Sequence, residues 1–424
     1  MYFRHTLDNG LRIIGEKMGN VRSVSIGIWF GVGSKYESSD INGISHFIEH
    51  MIFKGTESKT AKDIAEIMDS IGGQLNAFTG KECTCYYAKV LDNHLEIAVD
   101  ILADMIFNSK FAEEDIYKEK SVVIEEINMY EDSPEDLIYD ILYRNIWPNN
   151  SMGFPILGDI ETIQSLDRKA ILDYFNKFYV PKNTVISIAG NFDIEKVIKI
   201  LETYFGKWEN KEINYEIPQP VWTPCFVPKS KDIEQLHLCL GLEAMSISSD
   251  KLYPISIFNN ALGGGMSSRL FQKIREDKGF AYSIFSYPSL YKDTGIFTIY
   301  AAINHSKLEE VYEIIIEELK NFKVNGITNE ELKKFKEQLK GNYILGLEST
   351  NSRMSFNGKS ELLLNKIETQ DEVINKIDAV ELNDVNEVIN EVINFDKLSI
   401  AIIGNFDSNP DLLKRVESLP IQGG

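Results

Sequence analysis

Cysteine is scarce in this sequence of 424 residues, which contains only Cys83, Cys85, Cys225 and Cys239. No two of them form a C-x-x-C pair, so the sequence carries neither a zinc ribbon nor a framework of disulfides. We expect all four to be small apolar residues of a protein that resides in a reducing compartment.

Long apolar runs and basic runs are absent as well. No stretch of about eighteen apolar residues occurs, so no membrane span is expected. The first ten residues contain neither an apolar h-region nor an amphipathic leader rich in Arg and Ser, and we therefore expect a cytoplasmic protein. The formal net charge is −20, and no cluster of Lys and Arg interrupts it. A nucleic-acid partner is therefore not expected.

Only six histidines are present, yet two of them stand in one short motif, H-x-x-E-H, formed by His46, Glu49 and His50. The segment 43–55 is predicted to be a helix of about three turns that is closed by Gly55. Its apolar residues recur at helical spacing and form one face: Ile44, Ile48, Met51 and Ile52. Two imidazoles one turn apart can share a zinc ion, and the carboxylate beside them can reach a water on the metal. The alternative, two core histidines and an acid, would require buried partners for all three.

A second long helix, from about Glu113 to Tyr130, offers carboxylates to the same metal. Glu119 and Glu126 are two turns apart and therefore lie on one face of that helix. Glu125 competes with Glu126 as the inward residue, and a solvated helix in a Glu-rich segment is the alternative. Spacing alone does not identify the third ligand.

A polar strand follows the glycine pair Gly72-Gly73 and contains Asn76, Ala77 and Phe78. Polar strands flanked by glycines are typical of sheet edges, where an extended peptide can add as a further strand. An ordinary edge strand without a ligand fits the same pattern.

The two halves of the chain repeat each other. Residues 183–193 match residues 397–407 at six of eleven positions, which indicates an internal duplication. Apolar alternation predicts a half-buried strand over Val24–Phe30, and the same alternation recurs over Leu236–Leu242. The second half lacks an H-x-x-E-H motif, so the halves have diverged in role.

The duplication predicts two homologous domains. We expect an α+β fold in which each domain is a mostly antiparallel sheet covered by helices. Four of the twelve prolines crowd into residues 218–228 and mark a linker. We place a zinc-binding catalytic domain at 1–217, the linker at 218–230 and the homologous domain at 231–424.

Four motifs together resemble the pitrilysin-type inverzincin metallopeptidases, most closely the branch of mitochondrial processing peptidase and its bacterial relatives. They are G-I-S-H-F-I-E-H-M-I-F-K-G-T at 43–56, G-G-Q-L-N-A-F-T at 72–79, K-E-K-S-V-V-I-E-E-I at 118–127 and G-G-G-M-S-S-R-L-F-Q-K-I-R-E-D-K-G-F-A-Y-S at 263–283. The resemblance covers nearly the whole chain. It implies that the two domains form one half of a clamshell.

The resemblance also implies roles for the residues of the metal motif. Glu126, which lies 76 residues after His50, becomes the third ligand of one zinc ion per chain, together with His46 and His50. Glu119 becomes a supporting carboxylate, and Glu49 becomes the general base.

Substrate-binding residues follow from the same resemblance. The family uses an Arg and a Tyr seven residues apart in its second half to steady the substrate carbonyl and the developing oxyanion, and Arg275 and Tyr282 fit that spacing. The edge strand that the family uses to hold peptide corresponds here to Asn76, Ala77 and Phe78.

The function implied is that of a zinc metalloendopeptidase acting on short or unfolded peptides in a closed chamber. We expect a homodimer in which Arg275 and Tyr282 of each chain complete the site of the other. A heterodimer with a paralogous chain is the alternative assembly. The competing functions are a non-catalytic core or assembly subunit of the same fold and a peptidase dedicated to a leader or precursor.

Overall fold

The computed structural model describes residues 1–213, 215–408 and 410–419. Residues 214, 409 and 420–424, which the predicted domains include, lie outside the described residues. The strands are β1 (Tyr2–Thr6), β2 (Arg12–Lys17), β3 (Ser23–Phe30), β4 (Gln74–Thr79), β5 (Thr84–Leu91), β6 (Thr184–Gly190), β7 (Phe226–Ser230), β8 (Leu236–Ala244), β9 (Ala281–Leu290), β10 (Gly295–Ile303) and β11 (Ser399–Gly404).

The helices are α1 (Ile44–Ile52), α2 (Ala61–Ser70), α3 (Leu95–Asn108), α4 (Glu113–Asp132), α5 (Pro134–Ile146), α6 (Ile160–Ser165), α7 (Arg168–Phe178), α8 (Ile194–Phe205), α9 (Leu252–Leu262), α10 (Leu308–Asn325), α11 (Asn329–Gly346), α12 (Thr350–Leu364), α13 (Gln370–Ala379), α14 (Leu382–Val392) and α15 (Pro410–Glu417). None of the helices in the described ranges combines the length and the apolar character that crossing a bilayer would require.

The chain forms two compact units that are not contiguous in sequence. Unit 1 consists of Met1–Met129, Phe154–Ile217 and Leu345–Ile367. Unit 2 consists of Tyr130–Gly153, Pro218–Ile344 and the described residues from Glu368 onward. This division differs from the contiguous domains predicted at 1–217 and 231–424, because each half of the chain supplies one segment to the unit built mainly from the other half.

Both units contain a sheet with the same order of strands. The sheet of unit 1 has the order β1-β2-β6-β3-β5-β4, and that of unit 2 has the order β7-β11-β8-β10-β9. In unit 1 the pair β2/β6 is parallel and all other neighbours are antiparallel, and in unit 2 the same holds for β7/β11. Apart from the additional β1, the topologies coincide strand for strand. The prediction of an α+β fold with two mostly antiparallel sheets covered by helices is confirmed.

Strand β3 is buried along both faces, so the prediction of a half-buried strand was wrong. Helix α12 covers the second face: the hydroxyls of Ser25 and Thr350 lie 2.9 Å apart, and the sulfur of Met354 leaves no room for a side chain at Gly27. Since 325 residues separate Ser25 from Thr350, local alternation carries no information about this cover.

The same arrangement recurs in unit 2, where α5 covers strand β8. A side chain at Gly241 would lie 3.1 Å from Ile146 and 3.2 Å from Leu142. The predicted linker at 218–230 also ends differently from our expectation, because its last five residues form β7 at the edge of the sheet. Pro228 is compatible with that strand because an edge strand has a side that needs no hydrogen bonds.

Candidate metal centre

Helix α1 carries the H-x-x-E-H motif and is shorter than the sequence suggested. It has nine residues and ends at Ile52, after which the N–H of Phe53 donates to the carbonyl of His50. Gly55 has a φ of +117° and turns the chain three residues beyond the helix, so it is not the direct cap that was predicted.

A buried carboxylate fixes the first turn of α1. The side chain of Glu37 accepts hydrogen bonds from the N–H groups of Gly43 at 2.7 Å and Ser45 at 2.9 Å, and from the amide of Asn42 at 2.8 Å. Free N–H groups and the helix dipole favour an acceptor at this position. Burial raises the pKa of Glu37, and these hydrogen bonds oppose that rise. Sequence reasoning missed this residue, because an acid seven positions before the first residue of the helix has no spacing signature.

Three predicted ligands meet at one point of unit 1. One donor atom each of His46, His50 and Glu126 lies within 4.8 Å of the others. Glu126 Oε2 is 3.7 Å from His46 Nε2 and 3.5 Å from His50 Nε2. Ligands at about 2.1 Å in a tetrahedron around zinc are about 3.4 Å apart, so this donor set fits the metal. Two imidazoles and one carboxylate also leave a fourth position for a water.

Glu119 orients one of the imidazoles from behind. Glu119 is only 3% exposed, and its Oε1 accepts a hydrogen bond of 2.8 Å from Nδ1 of His50. This bond leaves Nε2 of His50 facing Glu126, as a metal-bound histidine requires. Lys54 forms an ion pair with the other oxygen of Glu119.

Protonation of this group of residues follows from burial and charge. Burial opposes a low pKa at Glu119, but the hydrogen bonds from His50 and Lys54 outweigh burial and lower it. Burial likewise acts to lower the pKa of His50, and the neighbouring carboxylates outweigh it and raise that pKa. For His46, burial and the nearby His50 lower the pKa to about 3, so this imidazole is neutral and able to bind a metal.

Glu49 lies on the same helix and is not part of the ligand set. Burial raises the pKa of its carboxyl, while a hydrogen bond from Thr79 acts in the opposite direction. The hydroxyl of Thr79 donates to Oε2 of Glu49 at 2.5 Å. A partly buried carboxylate with a raised pKa beside a metal site suits a general base.

The predicted peptide-binding residues lie on β4, the outermost strand of the unit 1 sheet, and α1 packs beside this strand. The N–H of Ala77 donates to Oδ1 of the neighbouring Asn76 at 2.8 Å. Phe78 is 38% exposed, and its ring packs edge-on against Trp29 at 5.4 Å. The edge of the sheet is thus open next to the helix that carries Glu49.

The predicted second-half pair lies in unit 2. Arg275 belongs to a single π-helical turn, Phe271–Glu276, and its guanidinium lies 4.9 Å from the ring of Phe271. Tyr282 stands near the start of β9 and is 76% exposed. β9 occupies the edge of its sheet, as β4 does in unit 1. The role of this pair stays a prediction.

An H-x-x-E-H helix whose imidazoles meet a glutamate from a distant helix defines a centre of the inverzincin class. Residues 12–160 match the family model described as "Insulinase (Peptidase family M16)", and residues 165–339 match "Peptidase M16 inactive domain". The chain therefore belongs to peptidase family M16, and it is a peptidase by this membership.

Similar proteins span nearly the full length of the chain. The uncharacterized zinc protease YmxG of Bacillus subtilis (strain 168) is 48% identical over 410 residues, which cover 97% of this chain and 100% of that protein. An uncharacterized zinc protease of Mycobacterium leprae (strain TN) is 37% identical and covers 97% of this chain and 94% of its own length.

Solved structures share the fold. A protease from Helicobacter pylori superposes with a TM-score of 0.88 at 23% identity, covering 95% of this chain and 99% of that one. A peptidase M16 inactive domain from Pseudomonas fluorescens gives a TM-score of 0.89 at 17% identity, covering 95% and 98%. At these identities the likeness concerns the fold alone.

Proposed function

We propose that this chain is a zinc-dependent endopeptidase that hydrolyses short or unfolded peptides held extended against β4. The observation that carries the proposal is the convergence of His46, His50 and Glu126, with Glu49 beside them and outside the ligand set. The names of the similar proteins, zinc proteases of Bacillus subtilis and Mycobacterium leprae, support zinc as the metal.

Each residue of the site has a distinct role in this proposal. Zinc bound by the triad would lower the pKa of a water and polarise the carbonyl of the scissile peptide bond. Glu49 accepts the proton of the attacking water and later returns it to the leaving amine. Glu119 holds His50 in the tautomer that binds the metal, and Lys54 holds Glu119.

Peptide recognition is proposed to use main-chain hydrogen bonds. The open edge of β4 at Ala77 offers a donor that is occupied only by the neighbouring Asn76 side chain, which a substrate strand can replace. Because such pairing reads the backbone, we expect the preference for particular side chains to be loose. Phe78 presents an aromatic surface beside that edge.

Cleavage of an unstructured peptide by the wild type and by Glu49→Gln tests the proposal, with zinc quantified in both. We expect the variant to keep its zinc and to lose about 10²- to 10⁴-fold in kcat, because the proton acceptor is removed while the ligands stay. Equal cleavage by both proteins would refute the role of Glu49. Zinc without cleavage in the wild type would favour a non-catalytic subunit, or a peptidase restricted to one precursor.

We also propose a homodimer in which Arg275 and Tyr282 of each copy complete the site of the other. Both side chains are exposed, and within the described residues the hydroxyl of Tyr282 has no hydrogen-bond partner, which leaves it available to a substrate. Such an assembly would be two-fold and isologous. A heterodimer with a paralogous chain would use the same residues.

Mixing two inactive variants tests the homodimer. In a mixed dimer of Glu49→Gln with Tyr282→Phe, one site would combine an intact Glu49 with an intact Tyr282 from the other copy. We therefore expect mixing to restore activity that neither variant shows alone. A monomer by light scattering with full activity, or no restoration after subunit exchange, would refute the shared site.

The location in the cell is also proposed as cytoplasmic. All four cysteines are free, and three of them are buried, which agrees with a reducing compartment. Fractionation of cells followed by immunodetection would test it.

A further inference from the structure

Thr79 is the last residue of β4, and its side chain contacts Glu49, the proposed general base. Its hydroxyl donates to Oε2 of Glu49 at 2.5 Å, and no other side chain in the described ranges hydrogen-bonds this carboxylate. The bond leaves Oε1 of Glu49 as the oxygen available to a proton. A carboxylate with one oxygen fixed has a defined orientation, which an unsupported glutamate with three rotatable bonds lacks.

The turn that follows Thr79 is held rigidly, so the hydroxyl is fixed in place. The carbonyl of Gly80 accepts from the N–H of Ser34 at 3.2 Å, and an added Cβ at Gly33 would lie only 2.0 Å from the same oxygen. Lys35 and Glu82 form an ion pair of 2.7 Å whose members are 2% and 5% exposed. A buried pair with this geometry resists movement, because separating it would leave two uncompensated charges.

The backbone of Thr79 belongs to the same edge at which we propose that peptide binds. Groups two residues apart along an antiparallel strand point to the same side, so the N–H of Thr79 shares the open side with that of Ala77. A peptide paired with this edge would thus be placed by the main chain of the residue whose side chain holds Glu49.

We infer that Thr79 is a positioning residue for Glu49, and that it couples the register of a bound peptide to the orientation of the base. The inference rests on the proposed function of Glu49. It adds a residue whose side chain offers one hydroxyl donor and acts through Glu49, while only the main chain of that residue would pair with the substrate.

Thr79→Val removes the hydroxyl and keeps the shape of the side chain. We expect kcat to fall by about 10- to 100-fold, the size of effect known for residues that orient catalytic groups, with KM changed by less than about two-fold. Zinc content should be unchanged. Thr79→Ser restores the donor and should return kcat to within about three-fold of the wild type.

Thr84→Val is the matched control, because Thr84 pairs directly with Thr79 across the two strands. Its buried hydroxyl donates to the carbonyl of Val32 at 2.9 Å and does not contact Glu49. This variant also loses a buried hydroxyl, so it should lower Tm while kcat stays within about two-fold of the wild type. Equal loss of kcat in Thr79→Val and Thr84→Val would overturn the inference.

A double-mutant cycle on the metal-free protein supplies a readout that does not depend on activity. Thr79→Val should lower Tm by a few degrees when Glu49 is present and should have little effect in a Glu49→Ala background. Equal shifts in both backgrounds would overturn the inference. A wild type that cuts no peptide would instead refute the proposed function, and the cycle separates these two failures.

Discussion

Glu119→Gln is the substitution that most directly probes how the metal centre is held together. Gln keeps the shape of a side chain that is almost completely buried, and its oxygen can still accept from Nδ1 of His50. Its amide group, however, then faces the ammonium of Lys54, so two donors meet where an ion pair stood. Burial acts to lower the pKa of His50, and the contribution by which the charge of Glu119 helps to raise that pKa is lost as well.

This arrangement predicts a loss of zinc affinity in Glu119→Gln. Residues that hydrogen-bond to a metal-binding histidine typically contribute 10- to 100-fold to metal affinity. We expect zinc to bind Glu119→Gln about 10- to 100-fold more weakly, equivalent to about 1.4–2.8 kcal/mol. Competition against a chelator of known affinity, followed at fixed pH, measures this ratio.

Glu125→Gln serves as the control, because Glu125 lies on the same helix and is exposed. This substitution changes the net charge by the same amount as Glu119→Gln. The variant should bind zinc like the wild type. Glu126→Gln removes a proposed ligand and should cost more than Glu119→Gln. Equal zinc affinities of the Glu119→Gln and Glu125→Gln variants would refute the view that Glu119 orients His50.

Three further predictions concern stability and metal content. Gly341 lies inside α11 with no atom within 4 Å of an added Cβ, so Gly341→Ala should stabilise unit 2 by about 1 kcal/mol, and an unchanged or lower Tm would contradict this. Burial acts to raise the pKa of Asp104, but hydrogen bonds outweigh burial and lower this pKa from 3.8 to about 2; the donors are Thr56, Asn108, Lys59 and Ser58. Its contribution to stability is therefore complete above pH 3.8 and is lost as the pH falls towards 2; Asp104→Asn should destabilise the protein at pH 7 and flatten the acid limb of a Tm–pH profile. Metal analysis should give about one zinc per chain, since the described residues offer one group of three ligands, and two ions per chain would show that a further site exists.

The local sequence pattern was sufficient to predict the arrangement of site residues that lie on a single helix. The apolar stripe of α1 is buried as predicted, and it places His46, Glu49 and His50 on one side. The choice between Glu125 and Glu126 needed either the family resemblance or the structure, because neighbouring residues on a helix differ only by rotation. In the fold, Glu125 is exposed and Glu126 faces the two imidazoles.

Sequence reasoning failed where distant segments meet. Helix α12 covers the second face of β3, and no sequence pattern within β3 indicates that this face is covered. Glu37 and Thr79 were missed for the same reason, since each acts on α1 from a loop or strand whose approach is set by the tertiary fold. Each unit also contains one segment from the half of the chain that mainly builds the other unit. Local sequence does not indicate this division, because it depends on contacts between residues that are distant in the chain.

The matching topologies of the two units allow the helix of the metal centre to be compared with its counterpart in unit 2. In chain order, α1 stands between β3 and β4, and α9 stands between the equivalent strands β8 and β9. The buried positions of α9 are apolar residues and Asn260, without a histidine or an acid. Because α1 already carries both proposed histidine ligands, α9 can use its buried positions for packing alone. Strand β9, at the edge of the sheet of unit 2, carries an exposed tyrosine near the end where the chain enters it.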